Sequence, residues 1–262
     1  MPSDTNHSRA TSPTETLPKP PVSVAGRIAL FLDLDGVLAP MAPRPDDVVA
    51  DPRRTAVLTA LGEALNGRVA IVSGRTLGEI DRIADGASPS AAGVHGLERR
   101  GIDGLVERQV AAAGVADALE AFRDFARNRP GVIVEDKSVS AGLHYRLAPA
   151  SEGEARELAT QLADDTGLTL QPGHMVVELR TPGADKGSAV TAFMDEPPFK
   201  GAVPIMLGDD LTDEAGFIAA TSLGGFGVLV GPARDTAARH GLEDVEAVLN
   251  WLEAVAAEGS VQ

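Results

Sequence analysis

"IALFLDLDGVLAP", residues 28–40, sets five apolar residues before two aspartates, Asp33 and Asp35, with Leu34 between them and Gly36 behind. A run apolar on both faces suits a strand of a parallel sheet covered by helices. Carboxylates at its mouth must shed water, which is costly unless a positive partner faces them. Similar runs follow: "RVAIV" (68–72), "SAAGV" (90–94), "VPIML" (203–207) and "GVLV" (227–230). Between them "TAVLTALGEAL", "TLGEIDRIA", "KGSAVTAFM" and "TDEAGFIAA" carry helical periodicity. That alternation predicts a doubly wound α/β fold with a mostly parallel sheet. Asp33, Ser73, His95 and Asp209 each directly follow an apolar run. Ligands of open parallel sheets bind beyond the carboxyl ends of the strands, so the fold would gather these residues at one rim.

Composition narrows the functions available. A net charge of -15 opposes a general nucleic-acid binder, which needs a basic face to displace counterions. The chain has no cysteine, which removes disulfides and thiolate metal sites. No apolar run approaches the length of a membrane helix, and residues 1–25, rich in Pro, Ser and Thr, lack the apolar segment of an export signal. A cytoplasmic location without membrane or nucleic-acid partners is therefore expected, protein partners being left open. Residues 1–25 read as a disordered tail. Trp251, on a terminal amphipathic helix, reads as core packing.

Residues 99–182 break the α/β pattern. A helix at "VADALEAFRDFARN" precedes a hairpin made by "VIVEDKSV" and "GLHYRL"; a helix at "SEGEARELATQLADDTG" precedes two strands in "LTLQPGHMVVELR". This predicts a small α+β cap inserted into a core formed by residues 26–98 and 183–262.

The chemistry concentrates in two acidic stretches, "DLDG" and "GDDLTDE" (208–214). A helix N-terminus accounts for Asp213 and Glu214 through the dipole, but not for four carboxylates together. Hard oxygen donors at one rim, without Cys or a His pair, favour Mg2+. Lys186 and Ser73, each at a helix start, supply a cation and a neutral donor. With a nucleophile and a metal these are what phosphoryl transfer requires.

In order, "DLDGV", "SGR", "KG" and "GDDLTDE" resemble the four motifs of the haloacid dehalogenase-like phosphohydrolases, from about residue 28 onwards. The resemblance implies a Rossmann-like core. It makes Asp33 the nucleophile, Asp35 the acid and then the base, Ser73 a phosphoryl hydrogen-bond donor and Lys186 a charge-neutralising cation. Mg2+ would be held by Asp33, Asp209, the main-chain carbonyl of Asp35, and Asp213 directly or through water. Val37 departs from relatives that carry Thr after "DG", removing a hydroxyl but no catalytic group.

"VHGLE" (94–98), "VEDKSVSAGLHYR" (134–146) and "VVELRTPGADKG" (177–187) further resemble the trehalose-6-phosphate phosphatase subfamily. This implies that Lys137, Arg146 and Glu178 reach a disaccharide from the cap, while Arg75, His95, Glu98 and Arg180 complete or brace the pocket. Thr181 stands where proline is expected after the arginine. The expected substrate is a small sugar phosphate, trehalose 6-phosphate first. Sucrose-phosphate and mannosyl-phosphoglycerate phosphatases are near alternatives, and a phosphoacceptor or a phosphosugar-binding protein are distant ones.

Overall fold

The computed structural model describes residues 16–24, 27–173 and 175–259. The first apolar run forms β1 (Ile28–Leu32), every residue of it buried. Its alternation feeds two cores: Ile28, Leu30 and Leu32 face one apolar cluster, Ala29 and Phe31 the other. Side chains of a strand point to opposite faces in turn, so a strand covered on both sides must be apolar throughout.

Chain order continues through α1 (Pro52–Ala64), β2 (Val69–Val72), α2 (Leu77–Ala84), β3 (Ser90–Gly93), β4 (Glu98–Arg100) and β5 (Val106–Arg108). The core resumes with α5 (Lys186–Met194), β10 (Val203–Gly208), α6 (Glu214–Ser222), β11 (Phe226–Val230), β12 (His240–Leu242) and α7 (Val245–Gly259). Strand order in the sheet is β12-β11-β10-β1-β2-β3-β4-β5. It is parallel from β12 to β3, while β4 and β5 join antiparallel. Winding reverses at β1, which lies between β2 and β10, so the crevice for a ligand opens beyond its carboxyl end. On one face, residues of α1, α2 and α7 complete a cluster; on the other, α5 and α6 pack against Phe31, Phe193 and Phe199, whose rings lie 5.1–6.0 Å apart.

Between β5 and α5 the chain builds a second sheet, antiparallel in the order β6-β7-β9-β8. Its strands are β6 (Ile133–Asp136), β7 (Ser140–His144), β8 (Thr169–Gly173) and β9 (Val176–Arg180). Helices α3 (Gly114–Ala126) and α4 (Glu152–Thr166) cover one face, with Phe122, Leu143, Tyr145, Val177 and Leu179 in the seam. The alternate positions place Glu135, Gly142, Glu178 and Gln171 in one cross-strand row on the opposite face. Among the described residues no helix is long and apolar enough to cross a membrane.

Two stretches lie elsewhere than expected. The β4–β5 hairpin, at the start of the 99–182 span expected as the cap, pairs with β3 and extends the large sheet. Its charged "ERR" and "VER" conceal a strand because they occupy a sheet edge, where apolar burial is not required. Of the tail expected over 1–25, residues 1–15 and 25 lie outside the described residues. Residues 16–24 are an extended strap on the core: Leu17, Val22 and Val24 pack against the two clusters and Pro20 is buried. The Pro18 carbonyl accepts from Gly241 N (3.0 Å), and the Pro21 carbonyl from Trp251 Nε1 (3.3 Å). Trp251 is buried, and its indole N–H, which needs a partner inside a core, meets one from the strap. Deleting residues 1–24 is therefore expected to lower stability by about 2 kcal/mol, the scale of one buried aliphatic side chain. Urea unfolding of the truncated and full chains checks this, and equal midpoints would contradict it.

Candidate active site

Asp33 is the first residue beyond β1. It is buried, and its main-chain N–H donates to the Leu207 carbonyl of β10 (3.0 Å). From the other half of the chain Lys186, the first residue of α5, brings a buried ammonium 3.0 Å from Asp33 Oδ1 and 2.7 Å from Asp213 Oδ1. A cation at a helix N-terminus opposes the dipole, so the two carboxylates must compensate for it. Asp185 caps α5 by accepting from Ser188 N. Gly187 lets α5 approach α6 closely, since a Cβ there would lie 2.5 Å from the Ala215 carbonyl oxygen.

In "GDDLTDE" the four carboxylates divide the work. Asp210 caps the turn, accepting from Thr212 N (2.7 Å) and Thr212 Oγ1 (2.6 Å). Glu214 anchors the loop after β11 by accepting from Ala237 N, Thr236 Oγ1 and Arg234. Asp213 is fully buried, its Oδ2 accepting from Asp209 N (3.0 Å) and Asp210 N (3.1 Å). Asp209 is partly exposed and faces the cavity. Gly36 adopts φ +78°, and a Cβ there would lie 2.1 Å from Asp209 Oδ2, so only glycine lets the two acidic stretches meet.

Carboxylate oxygens of Asp33, Asp209 and Asp213 all lie within 4.8 Å of one another, a donor set fit for a hard divalent cation. Burial, with Asp213, Asp209 and Asp210 nearby, pushes the Asp33 carboxyl well above its ordinary range, although Lys186 opposes the shift. Burial, Asp210 and Asp213 push Asp209 up to about 7. One ammonium does not balance this cluster, and an added cation would. The Asp35 side chain stands outside it, both oxygens taken by Arg75 (Nε to Oδ2 and Nη2 to Oδ1, each 2.8 Å).

A cavity of about 200 Å³ opens above these residues. The core contributes Asp33, Asp35, Ser73, Arg75, His95, Lys186 and Asp209; the second sheet contributes Glu135, Lys137, His144, Arg146, Gln171 and Glu178. Ser73 is buried at the end of β2, and its Oγ accepts from Arg75 N (3.3 Å). His95 holds a left-handed φ of +55°, which places its imidazole over Gly74. Lys137 crosses from the second sheet to the core, donating to the Gly74 carbonyl (3.0 Å) and to Glu178 Oε2 (3.1 Å). Glu178 also accepts from Ser140 Oγ at 2.5 Å and lies 3.6 Å from His95 Nε2.

Two residues expected to complete or brace the pocket do not line it. Glu98 is buried with Oε2 accepting from Leu77 N (3.1 Å) and Oε1 from Arg108 Nε (3.1 Å); it secures the start of α2 to the β4–β5 hairpin. Arg180 donates through Nη1 to the Ala184 carbonyl, bracing the link into α5. Glu135, His144 and Gln171, not expected in the pocket, do line it, the first two paired at 2.8 Å (Nε2 to Oε2). The alternation of "GLHYR" sets His144 on the polar face with Arg146, and the hairpin register puts Glu135 opposite Gly142 beside it.

Residues 31–245 match the family described as trehalose-phosphatase. The chain belongs to that family. It is 38% identical over 244 residues to the trehalose-6-phosphate phosphatase of Escherichia coli (strain K12), across 92% of this chain and 91% of that one. It is 40% identical over 210 residues to a probable trehalose-phosphate phosphatase of Sinorhizobium fredii, across 78% of each. The fold aligns with a crystal structure of a trehalose-6-phosphate phosphatase related protein, with TM-score 0.73 and 27% identity over 89% of this chain and 99% of that one. It also aligns with the C-terminal domain of the Candida albicans trehalose-6-phosphate phosphatase, with TM-score 0.80 and 21% identity over 89% and 93%.

In this trehalose-phosphatase, burial works to raise the Glu178 carboxyl, but Lys137, His95 and Ser140 outweigh it and hold it well below the ordinary carboxylate range. A carboxylate depressed in the folded state adds stability above its ordinary pKa of 4.5 and loses that contribution as pH falls below it. Glu178→Gln leaves Lys137 without its nearest carboxylate partner and is expected to cost about 3 kcal/mol near neutrality. Thermal unfolding from pH 7 down to pH 3 should show the gap between wild type and variant narrowing below about pH 4; a gap that stays constant or widens would contradict the pairing.

Proposed function

We propose that this trehalose-phosphatase removes the phosphate of trehalose 6-phosphate, giving trehalose and inorganic phosphate through an aspartyl phosphate on Asp33. The observation that carries the reading is the meeting, at one sheet edge, of Asp33, the Lys186 ammonium and Asp209, beneath a second sheet that brings Glu135, Lys137 and Glu178 to the same cavity. Asp33 has a cation on one oxygen and a cavity before it, as an in-line nucleophile needs. A carboxylate Oδ attacks phosphorus as the bond to the sugar oxygen breaks. The leaving oxygen takes the proton of Asp35. Water then attacks phosphorus, gives a proton back to Asp35, and phosphate departs with Asp33 restored.

Asp33, Asp209, Asp213 and the Asp35 main-chain carbonyl are the groups we assign to Mg2+, which supplies charge neutralisation for the acidic cluster and the phosphoryl oxygens. Lys186 shares that charge from the protein side, and Ser73 donates to a phosphoryl oxygen. Carboxylates that accept from hydroxyls, with Lys137 and Arg146 that donate to them, suit a polyol.

The cavity, about 200 Å³, is smaller than the roughly 300–1,000 Å³ of ordinary ligand sites. Lys137 closes it by its bond to Gly74. Residues 109–182 therefore act in this proposal as a cap that opens to admit the sugar and closes to exclude water. The reaction is assigned to the cytoplasm.

Phosphate release from trehalose 6-phosphate should require Mg2+, cease with EDTA, and fall by on the order of 10³-fold or more in Asp33→Asn. Undiminished release by that variant would overturn the nucleophile assignment.

A further inference from the structure

Arg75 was expected among the groups that complete or brace the sugar pocket, and its donors are already committed. Its side chain is 9% exposed. Nε and Nη2 clasp the two Asp35 oxygens at 2.8 Å, and Nη1 donates to the Pro45 carbonyl (2.7 Å) and Glu79 Oε1 (3.2 Å). A guanidinium has five N–H groups, so these four bonds leave almost nothing for a sugar hydroxyl. Glu79 is itself fixed, its Oε2 accepting from Thr76 N (3.0 Å) and Thr76 Oγ1 (2.7 Å) in the capping box of α2. The Arg75 carbonyl accepts from Val94 N (2.8 Å), which ties the backbone behind the fork to the next strand.

Among the described residues Asp35 has no comparable support of its own. Its side chain is 27% exposed, and the turn that carries it is closed by main-chain bonds alone, Gly36 N to the Ala39 carbonyl (2.7 Å) and Ala39 N to the Leu34 carbonyl (2.8 Å). A carboxylate offers about four lone-pair sites, and a bidentate fork takes two, leaving the remainder toward the cavity.

We propose that Arg75 is a positioning residue for Asp35: it fixes the plane of the carboxyl group that exchanges a proton with the leaving sugar oxygen and with water, and it contacts neither sugar nor phosphate. The proposal rests on the role given above to Asp35. In the first step the bond from phosphorus to the sugar oxygen breaks, its electron pair stays on that oxygen, and the Asp35 proton neutralises it. A misaligned Asp35 therefore matters most when the leaving group is a poor one.

The test compares two esters, trehalose 6-phosphate, whose alkoxide needs a proton, and p-nitrophenyl phosphate, whose phenoxide leaves without one. For Arg75→Met, kcat/KM on trehalose 6-phosphate, which reports the step that expels the sugar and not the later hydrolysis shared by both esters, should fall about 100-fold, the scale of one general acid, and kcat/KM on the aryl ester should fall at least tenfold less. Arg75→Lys should recover only part of the loss, because an ammonium cannot make the two-point clasp. In a double-mutant cycle Asp35→Asn with Arg75→Met should cost little beyond Asp35→Asn alone.

Equal losses on both esters, or additive losses in the cycle, would overturn the proposal. A raised KM for trehalose 6-phosphate with kcat intact would also do so, returning Arg75 to the sugar. Failure of the substrate reading is separate: wild type would then ignore trehalose 6-phosphate, and the same ratio measured on whichever alkyl phosphate it does cleave still decides the role of Arg75. A variant that loses folded circular dichroism is replaced by Arg75→Lys, for which the same unequal loss is required.

Discussion

One buried ammonium joins segments that are far apart in the chain. Lys186 lies between Asp33, which directly follows the central strand, and Asp213, which closes the turn after β10. Burial penalises all three charges, and only their mutual proximity makes the arrangement tolerable. Burial works to lower the Lys186 pKa, but Asp213, Asp33 and Asp210 raise it instead; the carboxylates remain in surplus, and Asp33 is displaced well upward. The site is thus organised around a charge deficit that the protein does not fill by itself. Gly36 and Gly187 serve the same convergence by removing the Cβ atoms that would keep the acidic stretches and the two helices apart.

The large sheet was legible because its strands are buried on both faces and so read as unbroken apolar runs. Helices were expected between them from the alternation of segments, and Thr76 and Asp185 are found to cap two of those helices. What was not legible lies where burial is partial. β4 and β5 are an edge hairpin whose charged residues pair with one another and with Glu196, and β12 is three residues long. The strap at residues 16–24 has a composition that reads as unpacked, yet its carbonyls satisfy Gly241 and the Trp251 indole, a tertiary demand that no local pattern announces.

At the site, residues carried by strand ends were legible and those that depend on pairing were not. Asp33, Ser73, His95 and Asp209 follow buried runs, and topology alone brings such positions to one edge. Which of several neighbouring acids keeps its oxygens free for a ligand is decided by hydrogen bonds: Asp210 lines the cavity beside Asp209 but spends an oxygen on Thr212, while Glu214 is turned to the 234–237 loop and Glu98 to the start of α2. Glu135 and His144 do not stand out in the sequence, because a charged residue in a hairpin is usually solvated and a lone histidine usually structural, and only the cross-strand register reveals that these two meet.

The most direct measurement is a crystal structure of the chain soaked with Mn2+ as an anomalous stand-in for Mg2+. The account predicts a single strong peak bound by the side chains of Asp33 and Asp209, with Lys186 on the opposite side of Asp33. A peak elsewhere, or none in crystals whose protein still releases phosphate, would contradict it.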